Sequence, residues 1–254
     1  MSSSRGAHPE DETLFAPSEV PSLRAAVRDL SWLRTRGYGD NAAESLVGDH
    51  YGLHRRQRNA VARSACADDK AAHRRVRRRR PQALSGEWVE IDGFNLLITL
   101  EGALGGAYLF VGRDGAYRDV NAVQGTYRPV DDTIQVLEGI RAAAHRHALR
   151  GLHWRLDRQV SNVGRLKTLL GRTSPETALG WDVSVHDAVD PILRDSPYPV
   201  ATSDSDILDA ADSWCALEAP VIRRLSSHPN LLDLCPSRGV ETRSADRRPG
   251  PREG

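Results

Sequence analysis

The chain has 254 residues, 35 basic against 34 acidic side chains, a formal net charge of +1, a hydrophobic fraction of 39% and a charged fraction of 27%. That length fits one larger domain, or a small domain joined to a medium one, and the composition lies above the disordered class. There is no run of about 18 apolar residues to cross a bilayer, and the polar, acidic stretch Met1 to Glu12 lacks the apolar core of a secretory signal. Cys66, Cys215 and Cys235 are too widely spaced for a disulfide framework or a zinc knuckle. The expectation is a soluble cytoplasmic protein. Lys70 and Lys167 are the only lysines, so the other cations are arginine, a bias that a GC-rich genome also produces.

Residues 1–13 read as a loose leader. From Ser18 to Gly37, Val20, Leu23, Ala26, Val27, Leu30 and Leu33 recur at helical spacing, and Gly37 is placed to cap the end. A second short helix starts at Asp40 or Asn41 and runs to Gly48. A third starts after Gly52, carries Gln57, Ala60, Val61, Ala65 and Cys66, and continues into a basic run that Pro81 stops. Together these form a helical domain over 14–80, marginal as an independent core. Six of the seven residues at 74–80 are arginine: Arg74, Arg75, Arg77, Arg78, Arg79 and Arg80. The run reads either as a solvated helix extension or linker, or as a strip that tracks phosphates.

After Pro81 strands alternate with helices, defining a second domain over 84–235. Trp88 to Ile91 reads as a strand ending at Asp92, followed by an apolar helix from Leu96 to Leu104. Residues 107–111 and 116–120 flank Arg113-Asp114-Gly115, a hairpin turn signal. A helix spans Val130 to Leu149, a strand Leu152 to Leu156 ends at Asp157, and Val163 to Leu170 is helical. Strands follow at Trp181 to Val185 and Pro199 to Thr202, then a short helix from Asp206. Residues 236–254, rich in Arg, Ser, Gly and Pro, read as disordered. The alternation implies an α/β fold with a mostly parallel sheet covered on both faces. Ligands sit beyond the carboxyl ends of such strands.

Three strand ends carry aspartates: Asp92, Asp157, and Asp204 with Asp206. In a parallel sheet all three loops open on one edge, so these four carboxylates are the candidate catalytic and metal-binding residues. Clustered carboxylates repel and need a cation or protons to coexist. Oxygen ligands suit Mg²⁺ or Mn²⁺, which polarise a phosphoryl oxygen and activate water. Asn95, Thr202 and Ser203 are placed to orient the ligands. The bland alternative makes each aspartate a loop or N-cap residue. Asp131 and Asp132 open a helix, and Asp132 is a candidate extra acid. After Asp157, Ser161 and Asn162 open a helix that is placed to hold a phosphate, with Arg158 and Arg165 adding charge. The Gly-rich phosphate loops are absent.

Ile91-Asp92-Gly93-Phe94-Asn95-Leu96, with Thr202-Ser203-Asp204-Ser205-Asp206 downstream and Asp157 between, resembles the PIN-like nucleases, especially the NYN-type branch. The resemblance implies a PIN-like α/β/α sandwich and metal-dependent cleavage of RNA, or sometimes DNA, and carries over Asp92, Asp157, Asp204 and Asp206 as metal ligands. The hairpin at 107–120 is an insertion relative to that core, and the acid that many such enzymes carry on the helix after the first strand has no clear match. Over residues 5–235 the chain also resembles the family called domain of unknown function 434. That likeness rests on segments such as His8-Pro9-Glu10-Asp11, Leu30-Ser31-Trp32-Leu33, Arg56-Gln57-Arg58, Ile91-Asp92-Gly93-Phe94-Asn95 and Val160-Ser161-Asn162. The leading functional expectation is a Mg²⁺- or Mn²⁺-dependent ribonuclease whose arginine run grips RNA. The alternatives are an RNA-binding or ribonucleoprotein module with a relict acidic site and, more weakly, a metal-dependent phosphoryl or glycosyl transferase.

Overall fold

The computed structural model describes residues 6–120, 127–129, 132–174, 178–225 and 230–235. Helices α1 (Asp11–Leu14), α2 (Val20–Thr35), α3 (Asp40–His50), α4 (Arg55–Ser64) and α5 (Asp68–Arg77) make the amino-terminal unit. The stripe on α2 behaves as its spacing predicts: Leu23, Ala26, Val27, Leu30 and Leu33 are buried. Gly37 takes a φ of 77°. The amides of Gly37 and Tyr38 donate to the carbonyls of Arg34 and Leu33, a Schellman cap that only a residue tolerant of positive φ closes without strain.

Two expectations change in this unit. The third helix is two helices, and Arg34 accounts for the break. Its guanidinium donates to the carbonyls of Ala62 at 2.9 Å and Ala65 at 2.6 Å, so the orphan carbonyls at the end of α4 are satisfied from outside. The Asp68 amide then bonds Thr35 Oγ1 at 3.0 Å, and Asp68 and Asp69 open α5, where negative charge is favoured. The leader is also folded from residue 6 onward. Asp11 is buried and accepts two bonds from Arg56, at 2.6 and 2.9 Å. Residues 1–5 and the tail 236–254 lie outside the described residues.

The second part runs β1 (Trp88–Asp92), α6 (Gly93–Leu104), β2 (Leu109–Val111), β3 (Tyr117–Asp119), α7 (Thr133–Arg146), β4 (Gly151–Asp157), α8 (Val163–Arg172), β5 (Gly180–His186), α9 (Asp190–Arg194), β6 (Val200–Ala201), α10 (Ser205–Ala210), α11 (Glu218–Leu225) and β7 (Leu231–Asp233). The main sheet has order β5-β4-β1-β6, with every pair parallel. The fold is the expected class: α/β with a mostly parallel sheet, preceded by an all-helical segment. None of the described helices is long and apolar enough to cross a membrane.

The two faces of the sheet differ. Val89, Ile91, Leu152, Trp154 and Leu156 sit on one face and join the main core with residues of α6, α7, α8 and α11. The alternate residues Glu90, His153, Arg155, Asp182 and Ser184 make a polar stripe on the other face. There α9 and α10 pack Leu193 and Ile207 against Val200 of the edge strand β6.

The hairpin is more than an insertion. It forms a second sheet of order β3-β2-β7, and side chains of β2 alternate between two cores. Leu109 joins the α/β core and Phe110 the helical one. Arg74 of α5 is buried, donating to Asp114 at 2.8 Å, Asp209 at 2.6 Å and the Ser205 carbonyl at 3.1 Å. Arg118 of β3 grips the same Asp114 at 2.9 and 2.7 Å and donates to the Ser203 carbonyl at 3.0 Å. Burial alone would raise the Asp114 carboxyl; the Arg118 and Arg74 guanidiniums overcome it and hold it well below the usual carboxylate range. Its contribution is therefore present above about pH 4 and lost as pH falls through the folded value. Asp114→Ala, which strands the buried Arg118 guanidinium and leaves Arg74 only Asp209 as a charged partner, is expected to destabilise the protein by about 3–5 kcal/mol in urea unfolding at pH 7. A loss of about 1 kcal/mol or less, the scale of a surface ion pair, contradicts this role.

Candidate active-site cleft

The chain leaves β1 toward β4 on one side, while β6 pairs on the other. The order therefore reverses between β1 and β6, where open α/β sheets form their crevice. A cleft of about 320 Å³ lies there, lined by Asp92, Asn95, Asp157, Asp190 and Asp204, with Asp119, Arg63 and Arg155.

Local sequence explains how the carboxylates arrive. Asp92 ends β1 and Gly93 begins α6 at once. A Cβ on Gly93 would lie 2.5 Å from Leu156 Cδ2 and 3.0 Å from the Arg155 carbonyl, so only glycine lets the helix start this close to β4. Thr202, just past β6, donates to Asp92 Oδ2 at 2.8 Å and accepts the Asp204 amide at 3.1 Å. Ser203 donates to Asn95 Oδ1 at 2.7 Å. Asp204 caps α10, its Oδ1 accepting the amides of Asp206 at 2.8 Å and Ile207 at 3.2 Å. Asp157 Oδ1 accepts the Gln159 amide at 2.8 Å. Both of these aspartates thus hold the turn they start, as the capping reading expected, and still line the cleft.

Burial pushes the Asp92 carboxyl up to about 7, and the Asp204 and Asp190 charges push it the same way against the Thr202 hydroxyl and the Asn95 amide. No lysine or arginine pairs with Asp92 among the described residues. Among those residues, too, no three His, Cys, Asp or Glu side chains sit close enough to hold one metal ion as they stand.

Other expected residues lie elsewhere. The Asp206 side chain is 78% exposed, 3.9 Å from Arg194, and lines a different depression, beside Arg34 and Lys70. Two residues after the capping Asp204, it sits in the first turn of α10 facing solvent. Ser161 and Asn162 open α8 outside the cleft lining; Asn162 takes a φ of 66° and donates to the Tyr127 carbonyl at 2.8 Å. Arg158 pairs with Asp187 at 2.7 Å, both exposed, and Arg165 is exposed on α8. Asp132 precedes α7 away from the cleft lining, and Asp131 lies outside the described residues. α6 carries one acid, Glu101, which is buried and accepts the Tyr127 and Thr133 hydroxyls at 2.6 Å each.

The arginine run is not a continuous phosphate strip. Arg74 is buried, Arg75 donates to the Arg113 carbonyl at 2.6 Å, and Arg77 donates to the carbonyls of Ala210 and Ala211 at the end of α10 at 3.3 and 3.1 Å. Arg78 lies beside Trp214, 5.2 Å from its ring centroid, and Arg79 pairs with Glu87 at 2.6 Å. Arg80 is exposed. Arg74, Arg75, Arg77 and Arg79 bond carboxylates or carbonyls of the α/β part, while Arg75, Arg78 and Arg80 stay exposed.

Sequence reasoning missed Asp119, Asp190, Arg63 and Arg155. Asp190 had a signal, because it follows the end of β5 as the other acids follow their strands. Arg63 had none, since it comes from the helical unit.

Residues 81–220, more than half of the chain, match the family described as Domain of unknown function (DUF5616). The chain belongs to the DUF5616 family. Residues 22–77 match the family described as Protein of unknown function (DUF434). The DUF434 likeness thus covers the helical segment, not residues 5–235, and the DUF5616 match holds every cleft residue except Arg63. The chain is 27% identical over 187 residues to "Uncharacterized protein MJ0935" of Methanocaldococcus jannaschii, covering 74% of this chain and 89% of that one. No solved structure matches this DUF5616 protein.

With a folded value raised above the unfolded one, Asp92 contributes stability that is full below about pH 4 and lost as pH rises through about 7. In cation-free buffer, Asp92→Asn is expected to gain about 1–3 kcal/mol on wild type between pH 5 and pH 8. Thermal melts at the two pH values check this, and a pH-independent difference contradicts the coupling.

Proposed function

We propose that the cleft hydrolyses phosphodiester bonds, in RNA by the PIN-like resemblance, with the help of Mg²⁺ or Mn²⁺. The observation that supports this best is Asp92: a strand-end carboxyl enclosed in a crevice, facing Asp204 and Asp190, with no basic partner among the described residues. Such a group requires a proton or a cation. The surrounding donors are carboxylate, carboxamide and hydroxyl oxygens, which fit a hard divalent ion. Asp92 and Asp204, linked through Thr202, would hold it, with Asp157 and Asp190 on the rim of the same cleft. A bound cation supplies charge neutralisation and a more acidic water.

The remaining work belongs to the chain. The Thr202 hydroxyl fixes the rotation of the Asp92 carboxylate. The cap on α10 fixes Asp204 through Oδ1. Ser203 occupies Asn95 Oδ1, which leaves the Asn95 amide nitrogen as a donor for a phosphate oxygen or a water. Asp206 has no part in this reading.

The absence of a ready-made trio of ligands among the described residues favours a second reading, RNA binding without cleavage. The two separate in one assay. Wild type with Mn²⁺ is expected to cut single-stranded RNA, Asp92→Asn and Asp204→Asn to lose about a hundredfold or more, the scale of removing one preorganised charged group, and Asp206→Asn to stay within about twofold of wild type. RNA binding without any Mn²⁺-dependent cleavage supports the second reading instead.

A further inference from the structure

We infer that Arg63, from the helical unit, binds the substrate phosphate in the carboxylate cleft. This rests on the phosphodiester reading above and adds the group that admits a polyanion to an acidic site. Five aspartates line the cleft and repel phosphate; two cations, Arg63 and Arg155, stand against them. Arg155 has four of its five donors engaged and its charge paired. Its Nε and Nη2 donate to Glu90 at 2.6 and 2.9 Å, and its Nη1 donates to Ser184 at 2.6 Å and Asp182 at 3.1 Å.

Arg63 is different. Its side chain is 35% exposed, and its contact is an ion pair with Asp119 at 3.7 Å, too long for a hydrogen bond. The backbone around it is pinned. Arg34 holds the carbonyls of Ala62 and Ala65, and the Arg113 amide donates to the Ser64 carbonyl at 2.9 Å. A rigid stem thus presents a guanidinium that makes no hydrogen bond among the described residues, resting against a carboxylate at the wall of the cleft. A phosphate offers it two short charge-assisted bonds in place of one long contact. The helical unit is then part of the active site, and a neutral substrate gains nothing from it.

The test uses full-length protein and a short fluorescein-labelled single-stranded RNA, with binding read by anisotropy in EDTA and cleavage read separately with Mn²⁺. Arg63→Ala is expected to raise Kd and KM roughly tenfold to a hundredfold, the range of a charged hydrogen bond, with a smaller change in kcat. Its salt slope should fall by about 0.7, the loss of one single-strand phosphate contact. Arg63→Lys, which keeps the charge but not the fork, should recover part of the affinity. A wild-type-like melt for Arg63→Ala is expected, because a weak ion contact contributes little. Unchanged Kd and salt slope in Arg63→Ala, or no RNA binding by wild type, overturns the inference. Failure of wild type to cleave overturns the nuclease reading, whatever Arg63 does to binding.

Discussion

One buried carboxylate, Asp114, organises much of the molecule. It sits between the guanidiniums of Arg74 and Arg118, and those two arginines reach the Ser205 and Ser203 carbonyls. The hairpin turn, the last helix of the amino-terminal unit and the loop after β6 therefore meet at one charge. That loop carries Thr202 and Asp204. The cleft inherits its geometry from a network away from its lining, and the network holds only if every member is paired, since a lone buried charge is costly.

The near-zero net charge conceals a division of labour. Arg34, Arg74, Arg77 and Arg118 are spent internally, on carboxylates and on carbonyls, and Arg74, Arg77 and Arg118 tie the helical unit, the hairpin and the loops around β6 and α10 together. The aspartates at the strand ends are left with fewer partners, and Asp92 has no basic one among the described residues. Negative potential concentrates where the sheet order reverses, with Arg63 set against it from the helical side. A site for a cation and a phosphate needs both signs within one crevice.

Much of this was legible in the sequence. Periodicity located α2, β1 and the hairpin, and strand-end aspartates located Asp92, Asp157 and Asp204, because alternation and parallel topology are local rules with a shared edge. Three things were not legible. The break between α4 and α5 depends on Arg34, a residue distant in sequence. The arginine run looked solvated or phosphate-facing because a charge run does not reveal its tertiary partners. Asp206 looked equivalent to Asp204 by spacing, yet Asp204 spends its Oδ1 on capping α10, and Asp206, two residues on in the first turn, is exposed outside the crevice lining.

Mn²⁺ binding is the most direct measurement of the central claim, that Asp92 and Asp204 form a cation-holding pair. Free Mn²⁺ can be counted by electron paramagnetic resonance during titration of wild type, Asp92→Asn and Asp204→Asn at pH 8. Wild type is expected to bind Mn²⁺ saturably, and each variant at least about tenfold more weakly. Equal binding by all three proteins, or none by wild type, contradicts it.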